Sequence, residues 1–359
     1  MQGGQVTPQR RTAESPYELW QRGEGVPINT GSYVADLYTL DVRPWARTGQ
    51  KGAFVNLADQ EVDDAYVLEI AAGGKTDVLH HLFEATLYVL EGRGATTVWQ
   101  EGSAKQTVEW QRGSLFSPPL NCYYQHFNLD GRQSARMFAV TNAPMVINIV
   151  RSPDFVFNDR YVFADRYGGQ EDYFTDPGKR IREREWKTNF VPDVRVFTLV
   201  DNPRRGVGNA RMGFLLSDNQ MAAHMSQFPP GTYKQAHWHG VGAHVIILSG
   251  QGYSLLWFEG EERRKVDWKD GSVLSPRLRE YHQHFNTGPA PARYLAMRLG
   301  DLDTRRGEWG GPEGESDDPG SFYAGIPYAQ EDPAIYDLYV QECAKNGAAV
   351  IMPRATQAG

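Results

Sequence analysis

The sequence is 359 residues long, with 37 basic and 44 acidic side chains for a net charge of −7, 12% aromatics, 37 Gly and 21 Pro. That length exceeds one ordinary domain and predicts two, and the Gly, Pro and aromatic content favours strands and turns over helices. Acids and bases are interspersed rather than blocked, which argues against nucleic acid or an anionic membrane surface and leaves a small molecule as the expected substrate.

From the N-terminus, residues 1–15 read as disordered and Pro16 to Arg22 as a short helix. The opening Met-Gln-Gly-Gly-Gln-Val-Thr-Pro has no apolar core of a secretory signal, and no apolar run approaches the ~20 residues of a membrane helix. Cys122 and Cys343 are the only cysteines. They make no disulfide framework and no thiolate cluster for zinc, and they suit a reducing compartment. A cytoplasmic protein is the expectation.

The body of the chain is one unit written twice. Gly92 and Gly250, Gly113 and Gly271, and Asn128 and Asn286 are each 158 residues apart. On the same offset Trp99 matches Trp257, Glu101 matches Glu259, Trp110 matches Trp268, and Gln-His-Phe-Asn at 125–128 recurs at 283–286. A single spacing over so many bulky or special residues predicts two copies of one domain. The apolar runs from Ala85 and Ala243 each end at a Gly-rich turn. Short strands follow at a spacing near ten residues, the pattern of a β-sandwich or barrel. The expected division is an arm (1–35), a first copy (36–150), a charged surface linker (151–192), a second copy (193–300) and a C-terminal segment (301–359). In the last, Pro333 to Asn346 predicts a helix that docks its Ile335, Leu338, Tyr339 and Cys343 stripe on a barrel or a partner subunit.

The chemistry concentrates in the second copy. His237 and His239 alternate along a strand and so leave one face. His282, on a strand brought alongside, adds a third imidazole and makes a facial set for a divalent metal. In the first copy these positions are Leu79, His81 and Tyr124. His80 and Glu84 are spare donors there, and a metal on them needs an irregular strand. His284 shares the face of His282 and either orients substrate or packs, since His126 stands at the same place in the other copy. Arg277, Tyr281 and Arg298 lie near the triad in sequence and are candidates to clamp a carboxylate, or ordinary solvated groups. Gln235 and Tyr253 are placed similarly.

The Gly-x5-His-x-His pattern at Gly231, His237 and His239, followed by Gly-x4-Pro-x5-His-x3-Asn at Gly271, Pro276, His282 and Asn286, resembles the two motifs of the cupin superfamily. The resemblance implies an all-β bicupin: two jelly-roll β-barrels with short helices in the linker and at the C-terminus. The usual motif also carries a Glu ligand where this chain has Ala243. That departure looks like the three-histidine cupins, which include gentisate-type and diketone-cleaving dioxygenases, although the complete triad here is in the C-terminal copy rather than the N-terminal one. His244 is a substitute fourth ligand only if its strand bulges. The resemblance implies an Fe(II)-dependent dioxygenase for a small oxygenated substrate, aromatic or enolisable, and a homodimer or higher homo-oligomer. The alternatives are a Mn, Zn or Ni site for decarboxylation, isomerisation or lyase chemistry, and a non-enzymatic small-molecule-binding cupin. No Gly-rich phosphate loop implies an organic cofactor.

Overall fold

The structure, a computed structural model, describes residues 14–58, 61–239, 243–300 and 323–355. The expectations for residues 1–13 and for the loop 301–322 lie outside the described residues. The first helix, Pro16–Gly23, starts on a capping box: Ser15 accepts from the Glu18 amide while the Glu18 carboxylate accepts from the Ser15 amide.

Each copy folds as two facing antiparallel-rich sheets, the jelly-roll architecture of a two-barrel chain. The first barrel has an eight-stranded and a three-stranded sheet, and the second a nine-stranded and a five-stranded one. The two large sheets pack against each other, and this explains why their strands are apolar at almost every position. In Ala85–Glu91, Leu87 and Val89 face their own barrel while Tyr88 and Leu90 face the junction. In His244–Ser249, Val245 and Ile247 face inward and Ile246 and Leu248 face the junction. A strand buried on both faces loses the apolar/polar alternation of a half-exposed one.

The two copies are also tied by an exchange of strands. Tyr33–Val34, from the arm before the first copy, pairs with Val273–Leu274 of the second barrel. Phe190–Val191, from the segment before the second copy, pairs with Leu115–Phe116 of the first. The turns beside them repeat the same bonds. The Leu37 amide donates to the Gly271 carbonyl at 2.8 Å and the Val194 amide to the Gly113 carbonyl at 2.9 Å. Gly271 and Gly113 sit at positive φ, +87° and +93°, and a Cβ on Gly113 would lie 2.2 Å from the Asp193 carboxylate. The segment 151–192 is therefore more than a surface linker. It holds the helix Pro153–Asn158, lends a strand to the first barrel, and runs Glu185–Thr188 parallel to Ala210–Leu216 of the second.

The C-terminal helix Pro333–Lys345 docks on the outer face of its own barrel's smaller sheet, burying Ile335, Tyr339 and Cys343 against Tyr233, Tyr253 and Phe285. Both cysteines are buried and free. Among the described residues no helix is long and apolar enough to cross a membrane.

Candidate functional site

The strands Ala236–His239 and Tyr281–Asn286 place His237 directly opposite His282, with ring centroids 4.3 Å apart. In the first barrel the equivalent cross-strand bridge joins Leu79 to Tyr124, so the duplication is kept in register while its nitrogens are not. His237 Nδ1 lies 3.0 Å from the Gln235 carbonyl and His282 Nδ1 lies 3.3 Å from the Glu280 carbonyl. A carbonyl only accepts, so in both rings Nδ1 carries the proton and Nε2 carries the electron pair. Burial, reinforced by the positive fields of Arg205 and Lys234, lowers His282 to about 4 and keeps it neutral near pH 7.

His284 is built differently. The Trp268 indole donates to Ser254 Oγ at 3.1 Å, and Ser254 Oγ lies 2.7 Å from His284 Nδ1. The serine proton has that Nδ1 as its acceptor, which leaves the His284 proton on Nε2. The same chain runs from Trp110 through Thr96 to His126, at 2.9 and 2.7 Å. It belongs to the fold of both barrels, so His284 presents a donor where His237 and His282 present electron pairs.

These three histidines line a small cavity of about 50 Å³. Its other polar walls are Arg205, Arg211, His224 and Lys234. Lys234 donates to Ser226 Oγ at 2.5 Å and to the Tyr294 hydroxyl at 2.7 Å. Burial, with the charges of Arg205 and Arg211, holds its ammonium well below the ordinary lysine range, and burial lowers Arg211 to about 10. The cavity is therefore cationic and narrow.

Several expected residues fall elsewhere, and strand parity gives the reason. Tyr281 points to the opposite face from His282 and stacks on Trp257 at 5.5 Å, outside the barrel. Tyr253 is on that outer face too, 4.5 Å above Phe285. Arg277 is exposed in the preceding loop, its amide held by Glu280. Arg298 is buried one step along its strand, in a neighbouring cavity that shares Arg211 and His224. Gln235 contributes its backbone carbonyl. Ala243 lines the cavity, whereas His244 is turned into the junction with Nδ1 3.6 Å from Asp63 of the first barrel, so the strand does not bulge to offer it as a ligand. In the first copy His80 is bound to the Phe157 and Asn121 carbonyls, and Glu84 accepts from the Gln220 and Met221 amides.

The residues that sequence reading passes over are Arg205, Arg211, His224 and Lys234. Three carry a signal on the 158 offset, where His224 replaces Tyr66 and Lys234 replaces Thr76. Arg211 likewise replaces Ala53, whereas Arg205 matches Arg47 and carries none.

The donor chemistry fits a divalent ion: two imidazoles, each with Nδ1 engaged by a carbonyl, are the usual outer-sphere arrangement of metal-binding histidines. His239 lies on the same strand as His237 and pairs through its backbone with Tyr323, while its side chain lies outside what is described. Among the described residues no group of three or more His, Cys, Asp or Glu is arranged to hold a metal.

No protein-family model matches the sequence, and no curated protein matches it. Solved structures do match, and they define the class as a bicupin fold. The oxalate decarboxylase of Lactobacillus farciminis, in complex with formate, superposes with a TM-score of 0.52 at 11% identity, over 90% of this chain and 96% of its own. A variant of the Bacillus subtilis oxalate decarboxylase gives 0.53 at 11% identity, over 90% and 88%. A further Bacillus subtilis oxalate decarboxylase structure, studied for its Mn(II) centres, gives 0.52 at 11% over 87% and 84%.

Proposed function

We propose that this chain is a metal-dependent enzyme that cleaves a small carboxylate anion without net oxidation, in the decarboxylase or lyase class, at the centre in the second barrel. The observation that carries this reading is the placement of His237, His282, two arginines and Lys234 around one cavity of about 50 Å³. A water takes roughly 10–15 Å³ of such space, so the cavity suits an acid of two or three carbons. A cavity of this size favours such an acid over a substituted benzene ring, which weighs against a ring-cleaving dioxygenase. The similarity to oxalate decarboxylases, one of them studied for Mn(II) centres, supports the same direction.

In this reading His237, His282 and, by strand alternation, His239 hold the ion; Mn(II) leads, with Fe(II), Zn and Ni as alternatives. When bound, the ion supplies Lewis acidity at the carboxylate. Arg205 and Arg211 neutralise the anion and fix its orientation by charge-assisted hydrogen bonds. His284 adds a neutral donor, and Lys234 is the wall's proton-bearing group. His282, His284 and Lys234 are buried, so these interactions are stronger than at an exposed surface.

The test is metal analysis of the purified protein, followed by incubation with oxalate or malonate while CO2 release and O2 uptake are measured together. CO2 release without stoichiometric O2 consumption is expected. O2 uptake equal to substrate consumed would restore the dioxygenase reading, and a metal-free protein inert to both acids would leave a binding function.

A further inference from the structure

A cavity of about 560 Å³ lies in the other barrel, where the metal-type nitrogens are missing. It is built from segments outside the repeated strands as well as from the barrel: Trp20 of the first helix, Trp45 and Arg47 of an early hairpin, and Phe157 with Arg160 at the end of the helix Pro153–Asn158. Most of its wall is aromatic. Its floor is polar but internally satisfied. The Tyr124 hydroxyl lies 2.7 Å from His81 Nε2, and His81 Nδ1 lies 2.6 Å from the Phe83 carbonyl. Asp64 accepts from Tyr17, Gln21 and its neighbour's amide. Three donors thus already engage that carboxylate.

Two observations point to an anion. The Trp20 indole N–H is buried with no hydrogen-bond partner, a donor in the wall of an aromatic chamber. Arg47 and Arg160 both line the cavity. Arg47 is balanced by Glu24 and lies 3.9 Å over the Phe157 ring, while Arg160 is exposed and has no ion pair among the described residues. One unbalanced guanidinium thus stands at a cavity whose body is made of ring faces.

We propose that the first barrel is a second, metal-independent binding site for an aromatic carboxylate, with the ring held among Trp20, Trp45 and Phe157 and the carboxylate met by Arg160. The volume lies within the 300–1,000 Å³ range of sites for molecules of this size, and it is an order of magnitude larger than the cavity in the second barrel. The two barrels then divide the work by size: small anion in one, ring-bearing anion in the other. A ligand here bridges the arm, the barrel and the inter-barrel segment, so its binding stabilises the interlocked chain as a whole.

The full chain is titrated calorimetrically with indole-3-acetate, its neutral amide and tryptamine. One site per chain is expected, with the acid bound about tenfold or more tightly than the amide and tryptamine weakest. Val78 and Arg160 are exposed cavity positions, so Val78→Trp and Arg160→Glu are expected to fold, as checked by circular dichroism. Val78→Trp is expected to abolish binding, Arg160→Glu to erase the preference for the acid, and His282→Ala to leave the affinity unchanged. Equal affinity for acid and amide, preference for tryptamine, no binding by any of the three, indifference to Val78→Trp, or loss on His282→Ala would each overturn the assignment. The His282→Ala arm separates this site from the proposed metal centre, because metal loss there leaves this titration intact.

Discussion

The Tyr124 hydroxyl donates to His81 Nε2 at 2.7 Å, at the position where the second barrel carries His282. The first barrel thus keeps one histidine of the pattern and satisfies it with a phenol, where the second barrel presents nitrogen to nitrogen. His81 Nδ1 is committed to the Phe83 carbonyl, and burial lowers the ring to about 3, so Nε2 is an acceptor that requires a donor. Tyr124→Phe removes that donor and is expected to cost about 1–3 kcal/mol, read as a lower urea midpoint. Metal content should not change, since the Leu79–Tyr124 bridge is not a metal position.

The ring tautomers separate two histidines that sequence places on one face. His282 presents an electron pair and His284 a proton, fixed by Glu280 and by Ser254 respectively. His282→Ala is expected to drop bound metal to background. His284→Ala is expected to keep most of the metal and raise KM about tenfold, as removal of one hydrogen bond to a charged substrate does. Atomic absorption and steady-state kinetics on the two variants check this, and a parallel loss of metal in both would remove the distinction.

Much of this was legible in the sequence, and the limits follow from physics rather than from chance. A constant offset of 158 fixes the duplicated barrel and the loss of His237 and His282 equivalents at Leu79 and Tyr124. Strand parity also orders Ala243 inward and His244 outward. The same parity, applied to Tyr281 and Tyr253, excludes them from the cavity, and proximity in sequence is a poor guide for that reason. The cationic wall was legible only in part: Lys234 lies inside the first motif, but Arg205 and Arg211 come from a loop and a strand far from the motifs. The exchange of Tyr33–Val34 and Phe190–Val191 was not legible, since two-residue strands have no periodicity to read.

The junction between the barrels carries a pH signature. Asp63 is fully buried beside His244, accepts from the Leu299 amide at 2.8 Å, and is pushed by burial up to about 7. Its folded pKa is above the unfolded one, so the folded state binds the proton more tightly. The associated stability is complete below pH ~4 and is lost as pH rises to ~7, beyond which it is constant. Asn at this position retains an acceptor for Leu299 and does not titrate. Relative to wild type, Asp63→Asn is expected to gain on the order of a few kcal/mol between pH 4.5 and 7.5, measured as a difference in urea unfolding free energy. A difference that is flat across this range would show that Asp63 ionises normally.

The exchanged strands make a prediction about the smallest unit that folds. Each barrel closes its large sheet with a strand from the segment that precedes the other copy: Phe190–Val191 completes the first and Tyr33–Val34 the second. Tyr33, Val34, Phe190 and Val191 are also flanked by side chains that clamp the crossing. Ser272 Oγ donates to the Ala35 carbonyl at 2.7 Å and Ser114 Oγ to the Pro192 carbonyl at 2.8 Å. Arg136 and Arg293 donate to the Leu37 and Val194 carbonyls at 2.9 and 3.0 Å. A chain cut after residue 189 therefore yields a first fragment that lacks Phe190–Val191 and a second that lacks Tyr33–Val34 together with Lys179–Arg182 and Glu185–Thr188, and each exposes the apolar outer face of its large sheet. Made separately, the fragments are expected to aggregate, because open edges and exposed apolar sheet faces favour association. Made together, they are expected to elute from gel filtration as one complex of the intact mass. Val191→Lys places a charge at a residue only 1% exposed and is expected to weaken that complex more than Val196→Lys, at a position 77% exposed. Two separately soluble, monomeric fragments would mean that the strand exchange is dispensable to the fold.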